Sequence, residues 1–176
     1  KRSAAGQISF VTYYQPNSFP GVEMTDTTSM STGNTYLFFI SADAATTNNN
    51  HLYVNGVDNS TVAYNNGAST LDLWNNGQVA IASGEATQAS SAINANVQFV
   101  YFTTNYIDFS QEANRNKFVD QLGYPRDLTQ QIEDGDIPNP LVYMKFDNTV
   151  SLGTNSGTGG NFTVNGTVTA GSDFTK

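Results

Sequence analysis

Tyr106-Ile-Asp-Phe-Ser-Gln-Glu-Ala-Asn-Arg-Asn-Lys-Phe-Val-Asp-Gln-Leu-Gly-Tyr-Pro125 is the one stretch of this chain that reads as a helix. Ser110 predicts an N-cap and Glu112 sits in the first turn, where an acid complements the exposed N–H groups. Phe118 and Leu122 fall one turn apart on a shared face. Gly123 suits the left-handed position after the last turn, and Pro125 blocks continuation. These signals predict one short helix around 110–122. Everything around it reads as strands and turns.

Upstream, Ile8-Ser-Phe-Val-Thr-Tyr-Tyr14 is aromatic and β-branched and predicts a strand. Residues 15–34, rich in Ser, Thr, Gly and Pro, read as loop with one short strand at most. Thr35-Tyr-Leu-Phe-Phe-Ile40 is a continuous apolar run that suits a buried central strand. In His51-Leu-Tyr-Val-Asn-Gly-Val57, Leu52 and Val54 face one way and Tyr53 the other. Asn55-Gly56 is a strong hairpin signal, because both residues tolerate positive φ. Ser60-Thr-Val-Ala-Tyr64 reads as the returning strand. Thr70–Trp74 and Gln78–Ala82 alternate as strands around Asn76-Gly77, and 83–95 read as loop.

Downstream, Asn96-Val-Gln-Phe-Val-Tyr-Phe-Thr103 reads as a strand and 126–140 as an acidic loop. Leu141–Phe146 reads as a strand, 151–160 as a Gly/Thr/Ser loop, and Phe162–Val168 as a last strand or hairpin. Short strands joined by Asn-Gly turns predict an all-β fold, an antiparallel two-sheet sandwich or barrel. At 176 residues the chain has the length of one domain with a real core.

Composition narrows the function. Only 12% of residues are charged, about half the usual share. Fifteen acids against seven bases give a net charge of −8. No basic cluster longer than Lys1-Arg2 offers phosphates a face, which argues against nucleic-acid binding and against an anionic membrane surface. No apolar run reaches the ~18 residues of a membrane span. Nor does an apolar segment of signal-peptide type follow Lys1-Arg2-Ser3. With no cysteine, disulfides and thiol chemistry are excluded.

Several features in order resemble the concanavalin A-like, laminin-G-like jelly roll. His51–Val57 looks like that family's Leu-Tyr-Val-Asn-Gly strand and turn, and Val79–Ala82 sits where its next core strand falls. Val97–Phe102 is similar to the strand before its last helix. Ile107–Phe118, with Leu122–Pro125, Pro140–Met144 and Leu152–Thr167, resembles versions of the domain in tailed-phage virion proteins. The likeness covers about 35–170. A segment like Phe146…Asn155-Ser-Gly…Phe162-Thr-Val-Asn-Gly ordinarily opens such a domain and here closes the chain. Two readings stand: a circular permutation, in which 141–176 complete a single domain spanning 1–176, or the start of a truncated second copy. The resemblance implies a non-enzymatic virion or extracellular module. Its partners would be other virion proteins, further copies of itself (a trimer suits a fibre or spike) and host glycans. A stand-alone lectin-like protein is the alternative.

Candidate sites follow from chemistry. A glycoside hydrolase needs two carboxylates converging across the bond it cuts. No strand carries acids at i and i+2 or i+4, and the family's hydrolytic Glu-x-Asp-x-x-Glu pattern is absent, so no catalytic residue is assigned. Trp74 beside Asn75 and Asn76, with Tyr64, has the chemistry of a glycan platform; the competing reading buries these aromatics in the core. Glu133-Asp134-Gly-Asp136, with Asp43 and Asp58, supplies the hard oxygen ligands that Ca²⁺ takes. The competing reading makes them solvated or backbone-bonded turn residues. His51 reads as a surface or hydrogen-bonding residue.

Overall fold

Asn55 and Gly56 adopt φ of 51° and 81°, the paired positive values of a type I′ turn. They close a two-residue hairpin between β4 (His51–Val54) and β5 (Val57–Asp58), with Val54 opposite Val57 and Tyr53 opposite Asp58. The computed structural model describes residues 8–14, 19–65, 67, 96–146, 151–165 and 167, with only the backbone of 11–14 and 19–20. The chain forms two compact units, Lys1–Val79 with Tyr106–Asp127, and Ala80–Asn105 with Leu128–Lys176. The regular elements of the described residues are mostly strands, in small antiparallel sheets, with a few short helices. None of those helices is long and apolar enough to cross a membrane.

In the first unit, β3 (Phe38–Ser41) pairs with β4 to give a three-stranded sheet ordered β3-β4-β5. Cross-strand partners share a face. The register therefore places Phe39, Ser41, His51 and Tyr53 on one side, and Phe38, Ile40, Leu52 and Val54 on the other. A second sheet runs β1-β2-β6, from β1 (Ser9–Tyr14), β2 (Phe19–Asp26) and β6 (Ser60–Asn65). Val22 and Met24 of β2, fully buried, join Leu52 of β4 and Ala44 in one apolar cluster, with Ile8, Phe10 and Val62 around it. One face of the β3-β4-β5 sheet thus packs against the β1-β2-β6 sheet.

The opposite face is covered by 106–118. Phe109 and Phe118 lie 5.2 and 6.0 Å from Phe39 and 5.5 Å from each other, ring centre to ring centre, in tilted and edge-on arrangements. Such geometry sets the positive ring edge against the negative ring face. The buried Ser41 hydroxyl accepts the Phe109 N–H at 3.2 Å and so anchors the cover to β3.

The helix is shorter than the sequence predicts. It comprises α1 (Glu112–Arg115) and a 3-10 turn, Asn116–Phe118. Gln111, not Ser110, occupies the N-cap, and no side chain caps it; the Ser110 hydroxyl is spent on Asp108. Asn114 and Asn116 disfavour propagation. Leu122 therefore leaves the helical face and is 74% exposed. Gly123 does adopt φ of 81°, but in a turn organised by Asp120, whose backbone bonds Gly123 and Tyr124 and whose carboxylate accepts the Leu122 and Tyr124 N–H groups.

Other expectations also shift. Residues 15–34 contain the eight-residue β2, hidden in sequence by Pro20-Gly21 and the threonines around it. Pro20 is tolerated because β6 pairs with β2 only from Val22 onward. Ser60–Tyr64 forms a strand, but β5 already returns the hairpin, and β6 pairs with β2 in the other sheet. Thr35–Ile40 is not a buried central strand: β3 starts at Phe38, pairs only with β4 among the described residues, and leaves Ile40 37% exposed.

In the second unit, β7 (Phe99–Phe102) pairs with β8 (Val142–Lys145). The segment read as an acidic loop contains α2 (Thr129–Glu133). Tyr143 is buried, and its hydroxyl accepts the Leu128 N–H at 2.8 Å, at the base of α2. Residues 155–159 run along 140–143, with Ser156 N–H on Tyr143 O and Gly159 N–H on Leu141 O. A Cβ on Gly157 would lie 2.6 Å from Leu141 O, so only glycine permits this approach. Residues 161–165 form no strand, and the rest of the expected Phe162–Val168 strand is described only at Thr167. The strands expected at 70–74 and 78–82 lie outside the described residues.

Two outcomes follow. Phe118→Ala should cost about 3 kcal/mol of stability, because it opens the aromatic triangle to a cavity; urea unfolding measures it. Asp26 is fully buried, with Oδ1 accepting the Thr28 N–H at 2.6 Å and Oδ2 without a hydrogen-bond partner among the described residues. Asp26→Ala removes that acceptor and should destabilise by about 1 kcal/mol. An unchanged thermal midpoint would contradict this.

Candidate binding surface

The polar surface of the first unit is built from side chains that hold backbone. Asp43 Oδ1 accepts the Ala45 N–H at 2.9 Å, and Oδ2 accepts the Asn49 amide at 2.8 Å. Asn50, buried, accepts the Asp43 N–H at 2.7 Å and donates to the carbonyls of Asp43, Thr46 and Thr47. Asn65 adds a bond to Asp43 O at 3.1 Å. Tyr106 docks on this loop, its hydroxyl donating to Asn49 O at 3.0 Å. The ring stays 44% exposed.

Two residues on, Asp108 Oδ1 accepts the N–H and hydroxyl of Ser110, at 2.9 and 2.5 Å. His51 sits between carboxylates, with Nδ1 3.8 Å from Asp58 and Nε2 3.9 Å from Asp108, electrostatic range rather than hydrogen-bond range. Farther along β4, the Arg115 guanidinium lies 4.2 Å from the Tyr53 ring centre. Its Nη1 donates to the carbonyls of Phe109 and Ser110.

Electrostatics follow from these bonds. The Asn49 amide holds the Asp43 carboxyl below its ordinary value, and the Ser110 hydroxyl does the same for Asp108. Burial pushes the Tyr106 phenol up, and the charges of Asp108 and Asp43 add to that. The result is an exposed ring within electrostatic reach of two ionised carboxylates. Such groups accept hydrogen bonds and stack. They are poor general acids, which need a raised carboxyl pKa near the working pH.

The sequence-predicted residues fall in different places. Tyr64 is 42% exposed and pairs across strands with Glu23, on the outward face of the β1-β2-β6 sheet. Trp74, Asn75 and Asn76 lie outside the described residues. Asp43 and Asp58 each bond local backbone or hydroxyl groups, Asp58 through the N–H and Oγ of Ser60. Glu133, Asp134 and Asp136 belong to the other unit and to the end of α2, where Asp134 accepts the Gln130 amide at 2.8 Å. Among the described residues, no three His, Cys, Asp or Glu side chains converge as a metal set. Tyr106, Asp108 and Arg115 were read in sequence only as helix and flank. Their spacing carries no site signal, because it is the fold that brings them to β4.

No family model matches this chain, and no curated protein or solved structure matches it.

The lowered carboxyls set the acid response. A folded-state pKa below the unfolded value gives stability that is present above about 3.8 and lost as pH falls through the lowered value. Asp108→Asn removes one such group. Its thermal midpoint should therefore decline less steeply than the parent's below that pH; parallel declines would show that Asp108 is not coupled to folding.

Proposed function

We propose that this chain is a non-enzymatic virion module that works by surface recognition. The observation that supports this most directly is the state of the carboxylates at the candidate surface. Asp43 and Asp108 accept N–H, amide and hydroxyl donors and are held ionised, an arrangement for presenting a fixed surface with acceptor capacity to spare rather than for moving protons. In this reading the antiparallel sheets belong to a jelly-roll sandwich of the concanavalin A-like, laminin-G-like kind, circularly permuted. The low charge and the absence of cysteine agree with a fibre, spike or capsid-decoration role outside the cell. The partners are other virion proteins, further copies of the chain in a homo-oligomer such as a trimer, and host-surface glycans. Calcium, if taken, would engage the carboxylates of Asp43 or Asp58, or of Glu133, Asp134 and Asp136.

One observation favours the narrower reading of a lectin-like glycan binder. The Tyr106 ring is exposed and flanked by Asp43, Asp108 and the Asn49 loop. A ring that stacks on sugar C–H faces beside acceptors for sugar hydroxyls is a workable glycan platform.

A glycan array run with Ca²⁺ and then with chelator tests both readings. Selective binding is expected, weakened about tenfold by Tyr106→Ala and retained by Tyr106→Phe, which keeps the ring. Loss on chelation would assign the carboxylates a metal. Binding that ignores both Tyr106 variants would move the site to Tyr64 or Trp74–Asn76. No binding in either buffer, with a defined oligomer in light scattering, would leave assembly as the function.

A further inference from the structure

The Asn55 side chain does more than permit a turn. Its Oδ1 accepts the Leu37 N–H at 2.8 Å, its Nδ2 donates to Thr35 O at 3.4 Å, and its own N–H donates to Leu37 O at 2.9 Å. The amide thus extends the ladder beyond β3 and holds 35–37 alongside the hairpin. Asn55 and Gly56 are both exposed, and an asparagine followed by glycine is the pair in which the next backbone nitrogen reaches the side-chain carbon with least obstruction.

We propose that Asn55 is a chemical modification site, a one-way latch whose deamidation frees 35–37 from the hairpin and which the folded chain holds closed. In the reaction the Gly56 nitrogen loses its proton to solvent and attacks Asn55 Cγ. The Cγ–Nδ2 bond breaks as Nδ2 takes a proton from solvent and leaves as ammonia, giving a five-membered succinimide. Water then opens the ring to aspartate or isoaspartate at position 55. No oxidant or further co-reactant is needed.

Geometry sets the direction of control. Both side-chain bonds orient the amide toward 35–37, so the attack requires them to break first. Once the reaction has run, an aspartate keeps the acceptor for Leu37 but loses the donor to Thr35 O and places a carboxylate against that carbonyl. An isoaspartate adds a backbone carbon to a two-residue turn whose register admits none. Either product prevents the latch from reclosing as built.

The test is peptide mapping of the intact chain incubated in mildly alkaline buffer prepared with ¹⁸O-water, with and without urea. Deamidation at Asn55 should be at least roughly tenfold slower in the folded chain, the factor that one hydrogen bond of this kind supplies. Equal rates with and without urea would overturn the proposal. Asn55→Asp should then lower the thermal midpoint, as should Asn55→Gly, which keeps the positive φ and lacks the amide. If Asn55→Asp does not fold, Asn55→Gly carries this arm. A midpoint equal to the parent's in whichever variant folds would show that the side chain holds nothing closed.

Discussion

The first unit depends on the contact between Phe39, Phe109 and Phe118. The β3-β4-β5 sheet is thin: three strands, one of them only two residues long. A sheet of that size is marginal unless both faces are used. One face finds Val22 and Met24 of the neighbouring sheet. The other would expose Phe39 and Tyr53 to water without the 106–118 cover. Burying the rings there also explains why so short a helix persists. Four α-helical residues and one 3-10 turn are below any length that propensity could sustain in isolation. The segment is held by two aromatic anchors, the Ser41–Phe109 bond and the Arg115–Tyr53 stack, and its helical content is a consequence of that docking.

The same cover creates the candidate surface. Seating Phe109 against Phe39 brings Asp108 toward His51 and Tyr106 onto the Asn49 carbonyl. Arg115, stacked on Tyr53, turns back to the carbonyls at the start of its own segment and stands in for the missing N-terminal coil. Packing and surface chemistry are therefore coupled. A change that loosens the rings displaces Tyr106 and Asp108 as well as destabilising the sheet.

Period-two patterning and turn chemistry were legible in the sequence. Leu52 and Val54 point inward as their alternation requires, Asn55-Gly56 makes the expected turn, and Ser9–Tyr14, Phe99–Phe102 and Val142–Lys145 are strands. Which strand pairs with which was not legible. Ser60–Asn65 follows a hairpin and yet joins the other sheet, because Asp58 turns the chain through its bonds to Ser60, a choice settled by tertiary packing. The helix was overextended because Phe118 and Leu122 satisfy the helical spacing, whereas Asp120 prefers to bond the backbone N–H groups of Leu122 and Tyr124. The candidate surface was least legible. His51 lies dozens of residues before Tyr106 and Asp108, and only the docking of 106–118 on β4 brings them together.

Asparagine recurs throughout the chain. An amide-rich surface beside aromatics resembles a sugar site, yet the described amides are largely occupied. Asn50 ties the 43–47 loop, Asn65 bonds Asp43 O, Asn55 holds 35–37, and Asn114 bonds Asp108 O. In the other unit, Asn155 bonds Tyr143 N–H, Gly157 N–H, Leu141 O and Gly160 O at once. An amide carries a donor and an acceptor at the spacing of a peptide group, so it can complete a ladder where the chain has no strand to offer. These residues act as backbone surrogates that shape loops with little charge. What such loops offer a ligand is a contour in which selected groups stand out. In the first unit those include the exposed rings of Tyr64 and Tyr106 and the ionised edges of Asp43 and Asp108. On the proposed reading, recognition would rest on these few side chains, held in place by asparagines whose own amides are already occupied.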